Sequence, residues 1–196
     1  MHIPLEAAHR ILSTFGITKP TREYERWVKP DGFDHVDFHE VLYGSDFIFV
    51  LDWRAALEDE LERIVHALGK LDVVMDFEID DSDSRCGIAV VTVERRPATV
   101  RYSGNDDGTS WRAVITALQT IMPPQIEFRE DVGNGESDTD AYAVLPVDEW
   151  QDLERDAGES LKLFFRPLSS PRPSPSTVSD PKGLVGLLRR LIRKRP

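Results

Sequence analysis

Leu71-Asp-Val-Val-Met-Asp-Phe-Glu-Ile79, Gly87-Ile-Ala-Val-Val-Thr-Val-Glu-Arg95 and Ala98-Thr-Val-Arg-Tyr-Ser103 decide the fold class. All three runs are rich in β-branched residues. Only turn-forming clusters, residues 80 to 84 and Arg96-Pro97, separate them. With no helix-length segment between them, they predict three consecutive strands folded as an antiparallel meander. Strands arriving in runs, and not alternating with helices, place the chain in the α+β class and argue against a doubly wound parallel sheet.

Downstream, Asn105-Asp-Asp-Gly108 is a turn signature. Thr109 or Ser110 can cap a helix that runs to Ile121 and stops at Pro123 and Pro124. Trp111, Val114, Ile115, Leu118 and Met122 form its apolar stripe. Gln125 to Arg129 and Asp140 to Leu145 read as strands around a loop at 131–138 that contains Gly133-Asn-Gly135. Pro146 opens a short helix with Trp150 and Leu153 inward, and Leu161 to Phe165 returns as a last strand.

Upstream, Trp53, Leu57, Leu61, Ile64, Val65 and Leu68 share one helical face that ends at Gly69. Asp46 to Leu51 reads as an interior strand, and His35 to Tyr43 alternates in the manner of another. Thr18 to Gly32 is expected to be irregular. Leu5, Ala8, Ile11, Leu12 and Phe15 predict an initial helix ended by Gly16. The expectation is a single α+β domain over residues 1–166, with a mixed or mainly antiparallel sheet covered by three to four helices and a groove on its uncovered face. A Pro/Ser-rich linker at 167–181 and a basic amphipathic tail at 182–196 follow.

Charge divides the chain in the same way. Of 24 Lys/Arg, six fall in residues 182–196, which hold no acid, so the preceding residues set 18 bases against all 35 Asp/Glu. Such a body repels phosphate backbones, which disfavours nucleic acid, and steers basic proteins toward itself. The acid cluster Glu58-Asp59-Glu60 with Glu62 is placed opposite an apolar helical stripe as a solvated face, and the surfaces expected to receive such proteins are Glu58, Asp59 and Glu62 on it and the turn acids Asp80, Asp81 and Asp83.

In the tail, Leu184, Leu187, Leu188, Leu191 and Ile192 share one side of a helical projection, opposite Arg189, Arg190 and Arg193. Fewer than about 15 residues make a marginal helix in water, so this stretch is expected to order only on a surface. Anionic headgroups, the acidic body of its own or a neighbouring chain, and a separate partner groove all suit it.

Residues 34–40, Asp-His-Val-Asp-Phe-His-Glu, carry the nearest approach to a catalytic set. On a strand, His35, Asp37 and His39 would share a face and could ligate zinc or another divalent ion, although same-face side chains lie roughly 6–7 Å apart, awkward for one ion. The exposed face of an amphipathic edge strand is the stronger reading of them, since no partner motif such as His-Glu-x-x-His accompanies the set. Asp80 to Asp83 and Asn105 to Gly108 lack the Gly and Glu positions of an EF-hand loop and read as turns. Walker, dinucleotide-binding, nucleophile-elbow and paired-Cys motifs are all missing from the sequence, and no cofactor is implied. Cys86, beside Arg85, is the only cysteine and reads as a structural thiol of a reducing compartment. Trp53, Trp111 and Trp150 read as core anchors, whereas Trp27, near Tyr24, reads as an exposed contact.

The first residues, Met1-His-Ile-Pro-Leu, show no cationic start followed by an apolar run, and no apolar stretch nears the roughly 20 residues of a membrane span. Cytoplasmic residence is expected, with the tail able to reach the inner face of the membrane. Three functional classes follow. The first is a non-enzymatic protein-binding module, such as an acidic immunity-type inhibitor of a basic bacterial toxin or nuclease. The second is a peripheral membrane adaptor held by the tail. The third is a metal-dependent hydrolase using His35, Asp37 and His39.

Overall fold

The computed structural model describes residues 1–19, 21–82, 87–103, 109–132 and 138–169. Asp83, Cys86, the turn at 105–108, Gly133-Asn-Gly135 and the tail at 182–196 lie outside the described residues, as does most of the expected linker. The elements run β1 (His2–Pro4), α1 (Leu5–Thr14), α2 (Arg22–Trp27), β2 (Gly32–Asp34), α3 (His35–Leu42), β3 (Ile48–Asp52), α4 (Leu57–Gly69), β4 (Met75–Ser82), β5 (Gly87–Val93), β6 (Arg96–Tyr102), α5 (Thr109–Ile121), β7 (Ile126–Asp131), β8 (Thr139–Pro146), α6 (Val147–Leu161) and β9 (Phe165–Pro167). This is an α+β domain, with six helices among the described residues where three to four were expected.

The meander forms as expected: β4 pairs with β5 and β5 with β6, both antiparallel. Its second turn sits at Glu94-Arg95, not at Arg96-Pro97. Both turn residues have positive φ, 47° and 69°, the backbone a two-residue hairpin turn needs to match strand twist. Arg96 and Pro97 instead open β6, an edge strand where proline's missing N–H is tolerated.

A second, four-stranded antiparallel sheet runs in the order β3-β8-β7-β9. Both of its faces are buried. On β8, Tyr142 and Val144 point into a core shared with α4, α5 and the meander, whereas Ala143 and Leu145 point into a core shared with α1, α3 and α6. Burial on two faces explains why β8 reads as a continuous apolar run. The first core holds Leu61, Ile64, Val91, Trp111, Leu118 and Phe128, and the second holds Ile11, Phe15, Phe38, Trp150, Leu153 and Phe164. Leu168, beyond β9, still packs against the first core, and its carbonyl accepts from Arg112 Nη2 at 2.6 Å.

Five sequence expectations are corrected. His35–Leu42 is a helix, not a strand: the Asp34 carboxylate accepts from the Val36 N–H at 3.1 Å, capping the first turn. Phe38, Val41 and Leu42 are buried at helical spacing, while Val36, which a strand would place beside Phe38, is 58% exposed. Residues 18–32 contain α2, capped by Thr21, whose hydroxyl accepts from the Tyr24 N–H at 3.0 Å. The strand at Ile48–Asp52 is interior in its burial but lies at an edge of its sheet. Finally, Leu161 ends α6 and does not begin the last strand, which starts at Phe165, and Trp53 belongs to the turn before α4. No helix among the described residues is long and apolar enough to cross a membrane.

Candidate functional site

Helix α4 carries two unlike faces. Leu57, Leu61, Ile64, Ala67 and Leu68 are buried, and Glu58, Asp59 and Glu62 stand in solvent, as their positions opposite the stripe predict. Glu60 departs from this pattern. It falls three residues after Leu57 and four before Ile64, inside the apolar stripe, and is only 2% exposed.

The Glu60 carboxylate accepts from the backbone N–H of Asp52 and lies 3.3 Å from Arg63 Nε, whose side chain is 62% exposed. The Arg63 contact falls on Oε2, which is buried and makes no hydrogen bond among the described residues. Burial pushes this carboxyl up to about 7, against the opposing pull of Arg63.

Between α4 and the outer edge of β3 runs a groove of about 790 Å³. Asp59, Glu60, Glu62, Arg63 and His66 form its helical wall, Ile48, Phe49 and Val50 its strand wall, and Tyr43, Ser45 and Asp46 one end. The two basic side chains on the wall are already engaged: Arg63 with Glu60, and His66 with Asp46 at 3.8 Å. Lys70 Nζ adds a 3.0 Å contact that holds the Asp46 carboxyl below its ordinary range. Asp59 and Glu62 have no ion pair among the described residues, so the wall keeps an excess of negative charge.

Charge also gathers at the N-terminal end of α4. The Tyr102 hydroxyl donates to the Trp53 carbonyl at 2.6 Å. Burial, with the surrounding charges of Asp52, Glu60 and Asp140, pushes that hydroxyl up to about 12. Tyr102 pairs with Gly87 and Gly87 with Ser82, so the far end of β4, which includes Asp80 and Asp81, lies at this same end of the molecule. The backbone thus brings Glu58, Asp59, Asp80 and Asp81 to one end, a relationship their sequence spacing does not reveal.

His35, Asp37 and His39 fare differently, because helix α3 replaces the strand that would have aligned all three. His35 and His39 are one turn apart with ring centroids 6.5 Å apart, and Asp37 faces Lys29 at 3.9 Å. His39 Nε2 instead bonds Asp131 Oδ1 at 3.1 Å, and Tyr43 donates to Asp131 Oδ2 at 3.0 Å. Burial and the Asp131 charge raise the Tyr43 hydroxyl well above its ordinary range. Among the described residues no group of three or more His, Cys, Asp or Glu side chains is placed to hold a metal ion.

Beside this cluster, Glu130 accepts from Arg112 and from Arg166 Nε at 2.9 Å, and Arg129 bonds Glu154 at 2.7 Å while lying 4.4 Å over the Trp150 ring. These pairs join β7 to α3, α5, α6 and β9 and read as structural fastening. Trp27 is half-buried against the second core, with the Arg26 guanidinium 4.3 Å over its ring, so it is less exposed than its sequence context suggests. Comparison of the chain with protein-family models, with curated proteins and with solved structures finds no match.

Proposed function

We propose that this chain is a protein-binding module that holds a basic partner against the acidic side of α4. The observation that carries this reading is the set Glu58, Asp59 and Glu62, exposed together without ion pairs among the described residues, beside a groove lined by a further buried carboxylate. Complementary charge of this kind accelerates encounter and selects partners. An immunity-type inhibitor of a cationic toxin or nuclease is the finer form of the proposal, since such targets carry their own basic substrate-binding surfaces.

The test compares retention of extract proteins on the immobilised chain and on a Glu58→Lys/Asp59→Lys/Glu62→Lys variant. A basic protein held by the first, released by salt and lost from the second, supports the reading; equal retention on both overturns it. A second reading rests on the amphipathic sequence of residues 182–196, which suits anionic headgroups at about 1 kcal/mol per base. It predicts that deleting residues 182–196 abolishes binding to phosphatidylserine vesicles.

A further inference from the structure

The outer edge of β3 differs from the strand edges at β4, β6 and β9. Edge strands normally carry a device against strand addition, such as a charge, a proline, a bulge or a covering element. Strand β4 has exposed Asp76 and Glu78 and a register shift between Ile79 and Asp81. Strand β6 is packed by α5, and β9 carries Arg166 and ends on Pro167. Strand β3 reads Ile48-Phe-Val-Leu-Asp52, with no proline, no bulge and no charge before its last residue.

Its backbone groups can be assigned from the pairing. The Phe47 carbonyl accepts from the Val144 N–H, and the Trp53 N–H donates to the Asp138 carbonyl, so odd-numbered residues turn their polar groups toward β8. The even-numbered residues turn theirs outward, because backbone groups alternate along a strand. Of these, the Ile48 N–H reaches the Ser45 carbonyl at 3.3 Å, the Asp52 N–H meets Glu60, and the Asp52 carbonyl accepts from Trp111 Nε1 at 3.2 Å. The Ile48 carbonyl and both polar groups of Val50 have no partner among the described residues, and both residues border the groove.

An open strand edge, a groove beside it and a buried carboxylate whose Oε2 is met only by the largely exposed Arg63 coincide. We infer that the groove between β3 and α4 takes an extended segment of the partner as an added strand, paired to Val50 and Ile48, with a Lys or Arg of that segment facing Asp59, Glu60 and Glu62. This inference rests on the basic-partner reading above and specifies its mode. Main-chain bonds supply affinity in strand addition, and alternate side chains supply selectivity. Here the acidic helical wall selects an alternating apolar and basic sequence. The five residues of β3 span roughly 17 Å, room for a short segment.

The test uses the full chain and three synthetic nonapeptides: one alternating valine and lysine, one alternating valine and glutamate, and the valine–lysine peptide N-methylated along one strand edge. Binding is read by calorimetry and by amide NMR shifts in low salt. The inference expects the valine–lysine peptide to bind and shift the amides of Ile48 and Val50. It expects the glutamate peptide not to bind, and N-methylation to weaken binding about ten-fold or more, one lost hydrogen bond or above. Glu60→Gln and Asp59→Lys/Glu62→Lys variants, checked by circular dichroism for intact folding, are each expected to lose about ten-fold.

Equal binding of the N-methylated peptide, or shifts confined to Glu58, Asp59 and Glu62, would overturn strand addition while leaving the basic-partner reading intact. No binding of the valine–lysine peptide by either method, with no basic protein retained from extract, would overturn both.

Discussion

The Tyr43 hydroxyl donates to Asp131 Oδ2 at 3.0 Å, tying helix α3 to the last residue of β7 across 88 positions of sequence. The Asp131 side chain is fully buried, and His39 holds its other oxygen at 3.1 Å. Asp131→Ala leaves two buried polar groups without their acceptor and is expected to cost about 3 kcal/mol in urea unfolding. Tyr43→Phe, which removes one bond and keeps the ring against His39, is expected to cost about 1 kcal/mol. Equal losses for the two variants would show that Asp131 does not organise the cluster.

Glu60 predicts a pH dependence of stability. Its carboxyl rises from 4.5 to about 7 on folding, so the folded chain binds a proton more readily than the unfolded one between those values. Stability attributable to this group therefore increases as pH falls through that window, and above it the charged form is a cost. Glu60→Gln is expected to be more stable than the parent near pH 8, by up to about 3 kcal/mol, with the advantage gone by about pH 5. A stability difference that stays flat across this range would show that Glu60 does not titrate there.

Gly32 sits at φ +143°, and a Cβ placed on it would lie 1.9 Å from the Ile3 carbonyl oxygen. The β1–β2 pair can close only because that atom is absent. Gly32→Ala is expected to cost at least about 3 kcal/mol, measured as a lowered denaturant midpoint, with loss of the pairing between Ile3 and Phe33.

Trp111 is fully buried and its indole N–H donates to the Asp52 carbonyl at 3.2 Å, connecting α5 to the end of β3. Trp111→Ala is expected to cost about 4 kcal/mol through the void it leaves. Trp111→Phe is expected to lose about 2 kcal/mol and to free the Asp52 carbonyl, a change that carbonyl-labelled NMR would register.

Much of the fold was legible because periodicity and burial coincide. The stripes of α1, α4 and α5 and the β-branched runs of the meander each face one core, so their patterns survive into structure. The segment 35–42 misled because three polar residues alternating with Val36 and Phe38 mimic a strand, while the deciding signal is the Asp34 cap followed by Phe38, Val41 and Leu42. For the candidate site, Glu58, Asp59 and Glu62 were legible as an exposed acidic face. Glu60 was hidden among them, although its place between Leu57 and Ile64 marks it as stripe-facing. The open edge of β3 could not be read at all, since strand order is a long-range property: its partner is β8, some 90 residues downstream.

The alternation along β8 has a consequence for how the molecule comes apart. Tyr142 and Val144 belong to one core and Ala143 and Leu145 to the other, so a single ribbon of backbone is the floor of both. Neither half can melt and leave the other with a covered sheet. Unfolding is therefore a single cooperative event. The β8 amides, bonded on both sides and screened above and below, should exchange with solvent only through that event, and more slowly than those of the exposed β4 edge.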